Sequence, residues 1–142
     1  MNEYTYEEIE IGQKESFTVT ITEEMLDAFK GITNDINPLH NDENHAKSLG
    51  HPGRVVYGML TASFLSTLAG VYMPGKRSLI HEVKSKFVKP VYIGDTLEIE
   101  GVVEDKHDAF KLLDIKYSMR NQNGVKVCRG TMNVSVENLA DE

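Results

Sequence analysis

Several features that would assign the chain to a specialised class are scarce or absent. Its 142 residues include a single cysteine, Cys128, so no disulfide can form within the chain and nothing in it requires an oxidising compartment. The longest apolar stretch, Gly58 to Met73, is interrupted by serine and threonine and is too short to span a bilayer. The N-terminal residues are acidic and lack the apolar core of a signal peptide. We therefore expect a cytoplasmic protein without membrane contact.

Positive charge is also scarce. Lysine and arginine number 15 against 22 aspartates and glutamates, which gives a formal net charge of −7. Because a nucleic-acid partner requires a basic surface, none is predicted. There is no glycine-rich nucleotide loop, and neither the histidines nor Cys128 show metal-ligand spacing. We expect no metal and no separate cofactor. Four histidines are interpreted as surface or strand-face residues: His45, His51, His81 and His107.

What remains is an ordinary globular composition, 40% apolar and 26% charged, at a length that suits one domain over residues 1–142. An alternating strand, Ser16 to Ile21, is followed by a helix capped by Thr22, and a short second helix is predicted over roughly Glu43 to Leu49. A long helix, predicted from Gly58 to about Tyr72, is apolar on nearly every side, which is typical of a helix buried at the centre of a domain. Four antiparallel strands complete the chain, the last two joined at Asn123-Gly124. The pattern predicts an α+β fold, an antiparallel sheet against a long central helix.

One polar stretch stands out, Asn34 to Asp42, which reads NDINPLHND. Pro38 has no backbone N–H and disfavours helix for the residue before it, so the stretch is predicted to be a rigid loop, neither helix nor strand. Such a loop can hold a carboxylate and an imidazole in place, which makes Asp35 and His40 the candidate acid and base. On residue type alone, the commoner role of Asp35 and Asn37 is that of turn formers.

Three segments carry a resemblance to a known family. NDINPLH resembles the D-x-N-P-x-H motif of the MaoC-like family, the (R)-specific enoyl-CoA hydratases. Val55 to Ser66 resembles the segment that opens the central helix in that family, and Phe87 to Val103 resembles its strand pair with a Pro-Val…Gly-Asp bend. The similarity runs from about Ile11 to Val136. It implies a hot-dog fold, a homodimer or higher assembly, and acyl thioester substrates carried on CoA or acyl-carrier protein.

The resemblance also implies roles for individual residues. Asp35 and His40 match the catalytic pair, and within the full motif we favour this role over turn formation. Gly58 matches the glycine whose backbone N–H binds the thioester carbonyl, although a helix cap explains it equally well. Asn37 matches the asparagine that fixes the loop. Ser66 matches a pocket serine, although simple packing in a buried helix explains it slightly better.

One residue departs from the family pattern. Tyr57 precedes Gly-Met at a position where a histidine is common, which leaves the catalytic pair intact but changes the shape expected for the pocket.

The predicted reaction is the addition of water to a trans-2-enoyl thioester to give an (R)-3-hydroxyacyl thioester, or the reverse dehydration, so the chain is expected to be a hydro-lyase. This chemistry needs a base for the water, an acid for the α-carbon and a donor for the developing enolate oxygen. Two alternatives stay open, a thioesterase on the same fold and a non-catalytic acyl-CoA binding module. The division of proton transfers between Asp35 and His40 also stays open, because coupled groups share their titration.

Overall fold

A five-stranded antiparallel sheet forms one layer of the protein. The computed structural model describes residues 1–140, so the last two residues of the predicted domain lie outside it. The strands are β1 (Lys14–Thr20), β2 (Ser78–Phe87), β3 (Thr96–His107), β4 (Leu112–Arg120) and β5 (Lys126–Val136). Their order in the sheet is β1-β3-β4-β5-β2, with every neighbouring pair antiparallel. The sheet therefore has β1 at one edge and β2 at the other.

Four helices occupy the first half of the chain. They are α1 (Glu23–Thr33), α2 (Pro38–Asn41), α3 (Glu43–Ser48) and α4 (Gly58–Thr67). The Thr22 side chain accepts a hydrogen bond from Met25 N at 3.3 Å, which confirms the predicted N-cap of α1. None of the helices within residues 1–140 is long and apolar enough to cross a membrane.

The long central helix ends differently from the prediction. It is α-helical only to Thr67 and then continues as one π-helical turn, Leu68–Tyr72. The next residue but one, Pro74, cannot donate to a helical ladder, and the last donor, Met73 N, bonds to the Leu68 carbonyl at 2.8 Å. The helix therefore closes with a wider turn instead of an ordinary one.

The helix rests on the sheet where a strand lacks a side chain. A Cβ built on Gly101 of β3 would lie 2.9 Å from Leu68 Cδ2 and 3.2 Å from Ile115 Cγ2. A side chain at this position would push against the Leu68 and Ile115 side chains, so glycine permits their close packing over the strand. Leu68 and Ile115 are fully buried at this contact. A sheet packed around one central helix confirms the predicted α+β, hot-dog fold.

The edge strand β2 leaves part of the core face uncovered. Val83 and Phe87 lie opposite Met132 and Cys128, which are buried, so all four face the same side of the sheet. Val83 and Phe87 are nevertheless 43% and 48% exposed. A register shift between Ile80 and Glu82 also places Leu79 opposite Ser135 of β5, which breaks the even alternation of the strand.

Candidate active site

The polar stretch that follows α1 is only partly a loop. Asn34 closes α1 in the left-handed conformation, with φ 57°, and its N–H bonds to the Lys30 carbonyl at 2.8 Å. The prediction that the stretch contains no helix is wrong for α2, one helical turn that begins at Pro38. Proline is disfavoured inside helices but suits their first position, where its missing N–H costs no hydrogen bond. Asn37 caps this turn, and its Oδ1 accepts a bond from Leu39 N at 2.9 Å.

Asp35 forms a turn with one carboxylate oxygen, and its catalytic role stays a prediction. One carboxylate oxygen accepts a hydrogen bond from Asn37 N at 3.1 Å, as a turn former does. The other oxygen makes no hydrogen bond to any residue in the described range 1–140. Asp35 is exposed and lines a cavity of about 300 Å³ that His40 also lines. The carboxylate therefore shapes the loop with one oxygen and keeps the other available.

His40 is held in one orientation and one tautomer. Its Nδ1 lies 2.6 Å from the Val55 carbonyl oxygen. Because a carbonyl only accepts hydrogen bonds, the proton of the neutral imidazole lies on Nδ1, and no residue within 1–140 donates to the Nε2 lone pair. The ring stacks on Tyr57, with centroids 4.3 Å apart and planes 28° apart. His40 therefore offers Nε2 as a proton acceptor.

Arg54 anchors the backbone of the same helical turn. Its Nε donates to the His40 carbonyl at 2.7 Å, while its two terminal nitrogens pair with Glu23 and Asp27 of α1 at 3.3 and 3.2 Å. Val55 N adds a bond to the Leu39 carbonyl at 3.1 Å. Sequence reasoning missed Arg54, since a lone arginine after a Gly-Pro loop carries no signal of its own.

The amino end of α4 faces the same space. Tyr57, the N-cap residue, makes no side-chain capping bond, and its carbonyl accepts from Leu60 N and Thr61 N at 3.1 Å each. No residue within 1–140 accepts a hydrogen bond from Gly58 N. This N–H lies at the positive end of the helix dipole. A Cβ on Gly58 would lie 3.3 Å from Phe87 Cε1, so glycine lets the Phe87 ring pack closely against the start of the helix.

Two cavities meet at this point, and both are lined by His40, Gly58 and Phe87. The cavity that contains Asp35 has a volume of about 300 Å³. The other has a volume of about 320 Å³, and six of its thirteen lining residues are aliphatic: Leu39, Val55, Val56, Val88, Val91 and Val127. A proton acceptor, a carboxylate oxygen and a free backbone donor thus surround one junction, which suits a reaction that moves a proton while charge develops on a carbonyl oxygen.

Ser66 and His51 lie in surroundings that differ from those expected from the sequence. Ser66 is exposed, lies eight residues after Gly58 and lines neither cavity, so its role stays a prediction. His51, interpreted as a surface residue, is half-buried in the wall of the larger cavity, with Nδ1 2.9 Å from Tyr92 Oη.

One cluster with metal-ligating groups was missed because its members lie on two strands. Asp105, His107 and Asp114 each offer a ligand atom, all within 4.8 Å of one another. His107 Nε2 already bonds Asp114 Oδ2 at 2.8 Å, and Asn133 donates to the same carboxylate. An ion pair explains the cluster, and the expectation of no metal stays a prediction.

Comparison with known proteins identifies relatives of the chain in sequence and in fold. The sequence model of the MaoC like domain matches residues 7–124. The (R)-specific enoyl-CoA hydratase of Rhodospirillum rubrum is 35% identical over 105 residues, which cover 71% of this chain and 73% of that protein. The enzyme of the same name from Aeromonas caviae is 34% identical over 69% of this chain and 76% of its own length. Among solved structures, the R-hydratase PhaJ1 of Pseudomonas aeruginosa, in its unliganded form, superposes with a TM-score of 0.89 at 28% identity, covering 95% of this chain and 86% of that one.

Proposed function

The chain belongs to the family of MaoC-like domains, and on that premise we propose that it adds water to trans-2-enoyl thioesters to give (R)-3-hydroxyacyl thioesters, and catalyses the reverse dehydration. The observation that carries the proposal is the junction of the two cavities. There, the free Nε2 of His40 and the unpaired N–H of Gly58 line the same space as the Asp35 carboxylate.

The hydrogen bond to Val55 supports His40 as the base in the hydration direction. With Nδ1 protonated, Nε2 takes a proton from water as the oxygen bonds to C3 of the substrate. The C2–C3 π electrons move toward the thioester, and negative charge develops on its carbonyl oxygen. The imidazolium then returns the proton to C2, so that OH and H are added across the double bond. The Asp35 carboxylate accepts a hydrogen bond from the second hydrogen of the water, which stays on the oxygen, and so holds the water in line.

Gly58 is proposed to stabilise the enolate. Its N–H points from the start of α4, where the helix dipole also favours negative charge. A thioester carbonyl bound at Gly58 would lie beside the cavity of about 320 Å³. The aliphatic side chains of that cavity suit the hydrocarbon part of the acyl group. Asn37 is proposed to support the reaction indirectly, by capping the turn that carries His40.

The test follows the conjugated enoyl thioester by its absorbance, with a thiol reagent in a parallel cuvette. We expect loss of conjugation without release of thiol, and the same equilibrium approached from the 3-hydroxyacyl thioester. Release of thiol at the same rate would identify a thioesterase and contradict the proposal. Binding of the thioester with neither reaction would identify a non-catalytic module and contradict it as well. A panel of acyl chain lengths on CoA and acyl-carrier protein then defines the substrate.

We also propose that the chain forms a homodimer, or a multiple of one, through β2. Val83 and Phe87 of this edge strand face the core side yet stay nearly half exposed, and Met59 of α4 is 66% exposed. Met59 and Phe87 line the cavity that contains Asp35, so a second subunit paired along this edge would close it. Light scattering should give about twice the mass of one chain, and a monomer mass across a wide concentration range would contradict the dimer.

We further propose that the chain is a single domain over residues 1–142 and that it acts in the cytoplasm. The reaction is proposed to need no metal or separate cofactor, because the substrate brings its own thioester carrier. Dialysis against a chelator should leave the hydration rate unchanged.

A further inference from the structure

Two kinds of attachment hold the predicted acid and base. His40 and its neighbour Leu39 are tied to residues 54–55 by three hydrogen bonds: His40 Nδ1 to the Val55 carbonyl, Val55 N to the Leu39 carbonyl, and Arg54 Nε to the His40 carbonyl. The imidazole therefore has fixed neighbours on a separate segment of the chain.

Asp35 has much weaker ties. Its N–H donates to Thr33 Oγ1 at 3.2 Å, and its carboxylate accepts from Asn37 N at 3.1 Å. Its carbonyl accepts a long bond of 3.3 Å from Asn41 Nδ2. All these partners belong to residues 33–41. Of the hydrogen bonds that Asp35 makes within the described residues, only the one from Tyr57 Oη, at 2.6 Å, comes from outside that segment.

The Tyr57 side chain contacts both halves of the pair. Its hydroxyl donates to the Asp35 carbonyl and accepts from Asn41 Nδ2 at 2.9 Å, while the face of its ring stacks on the His40 imidazole. Phe29 packs against the ring, with centroids 4.9 Å apart. Tyr57 is 2% exposed, so the packed ring has little freedom to move. Because it also precedes Gly58, one rigid group connects the loop, the imidazole and the start of α4.

We infer that Tyr57 is a positioning residue for the hydration reaction, and that its hydroxyl sets the Asp35 carboxylate at a fixed separation from His40. The inference rests on the proposed function. Asp35 is exposed and has no buried neighbour in the stretch from Asn34 to Asn37, so hydrogen bonds alone hold it against α4. Without the hydroxyl, the loop around Asp35 can shift, whereas His40 keeps its bonds to residues 54–55.

The test compares Tyr57→Phe with Tyr4→Phe. The first change keeps the stacked ring and removes only the hydroxyl. The second removes a hydroxyl that bonds Glu15 Oε1 at 3.0 Å and contacts no residue of the site. We expect kcat of Tyr57→Phe to fall about tenfold. This loss is smaller than the ~10²-fold loss that a displacement of about 1 Å can cause. KM should stay within about twofold, because Gly58 and the aliphatic wall are unchanged, and Tyr4→Phe should match the wild type.

A second measurement separates positioning from general damage. In an Asp35→Asn background, Tyr57→Phe should change kcat by less than about twofold, because the group that it positions no longer contributes. An equal loss in both backgrounds would mean that Tyr57 acts through the fold at large and would overturn the inference. So would a Tyr57→Phe variant with the kcat of the wild type.

Amide hydrogen exchange tests the same idea without activity. In Tyr57→Phe, residues 34–37 should exchange faster while β4 and β5 stay protected, and unchanged exchange in that segment would overturn the inference. A wild-type chain that hydrates no enoyl thioester would instead contradict the proposed function. An active wild type with an unaffected Tyr57→Phe variant contradicts only the role of Tyr57.

Discussion

The stretch from Asn34 to Asp42 and the central strands of the sheet are built by different forces. None of the nine residues in the stretch is buried, and Ile36 is 76% exposed. Its shape depends on hydrogen bonds from its own polar side chains and from Tyr57 and Arg54. In β4 and in β5 from Met132 to Val136, by contrast, every second side chain is buried, as Leu113, Ile115 and Val134 illustrate.

The two regions therefore differ in how much they contribute to the stability of the fold. Burial of one large aliphatic side chain contributes about 1.5–3 kcal/mol, whereas one hydrogen bond contributes a net of about 0.5–1.5 kcal/mol. Residues of the exposed stretch are therefore free to serve a substrate, because little of the folding free energy depends on their side chains. Substitutions in the exposed stretch should lower the rate and leave the stability of the protein unchanged. Substitutions in the sheet should lower the stability and leave the rate of the folded protein unchanged.

The largest effect is expected at His40, the proposed base and acid, and at Asp35, which is proposed to hold the reacting water. His40→Gln should lower the hydration rate by at least ~10², the usual scale for a general acid or base, and Asp35→Asn should lower it by a similar factor because the two residues act as a unit. The asparagine keeps an oxygen that can accept the Asn37 N–H, so the turn should survive. Urea unfolding should show a change within about 1 kcal/mol, since neither side chain is buried.

His81→Gln serves as a control for this pair, since His81 is exposed on β2 and bonds Ser135. It should leave the rate unchanged. A near-normal rate in either site variant would leave that residue only its role in shaping the loop.

The next effect concerns the start of α4. Gly58→Pro removes the backbone donor, while Gly58→Ala keeps it and adds only the Cβ that approaches Phe87 at 3.3 Å. Proline suits this first helical position, and Tyr57, at φ −53° and ψ 127°, already has the conformation favoured before proline. The proline variant should be ~10²–10³ slower than the alanine variant, the usual loss for one oxyanion donor. Equal rates in two folded variants would exclude Gly58 as that donor.

A substitution in the sheet should give the opposite signature. Ile115→Ala removes a fully buried side chain that meets Gly101 and Leu68 under the central helix. The free energy of unfolding should fall by about 2–5 kcal/mol. The rate per folded molecule should stay within about twofold of the wild type, measured well below the urea midpoint. A large loss of rate in a fully folded variant would mean that the two regions are coupled.

The smallest effect is a pH dependence of stability. The bond to Asp114 raises the pKa of His107 above its ordinary value of 6.5, with the negative charge of Asp114 adding to the effect. The folded protein thus favours protonated His107, so its contribution is complete below about pH 6.5 and is lost as pH rises through the raised pKa. The stability difference between wild type and His107→Gln should therefore be larger at about pH 5.5 than at about pH 8.5. An equal difference in stability between wild type and His107→Gln at both pH values would contradict the raised pKa of His107.

Local signals in the sequence predicted most of the fold. The cap at Thr22, the hairpin at Asn123-Gly124 and the alternation of the strands each depend on neighbouring residues, so a short window contains them. The wide final turn of the central helix depends on where Met73 N finds an acceptor, which the apolar pattern does not encode.

The candidate site was only partly predictable. Asp35 and His40 stand out because proline and asparagine surround them. The tautomer of His40 depends on the Val55 carbonyl, 15 residues away, and the tie on Asp35 depends on Tyr57, 22 residues away. Only the folded chain brings these groups together. The exposed core face of β2 also appears only in the folded chain, because strand alternation places Val83 and Phe87 on the core side but does not show that this side stays uncovered.

The central claim is that Asp35 and His40 act on one water as a unit. The direct test is the hydration rate of the double variant Asp35→Asn/His40→Gln against the two single variants, each checked for folding by circular dichroism. Residues that act as a unit lose most of the activity when either is removed. The account predicts that the double variant is no more than a few-fold slower than the slower single variant. Losses that multiply, so that the double variant shows the product of the two single effects, would contradict it.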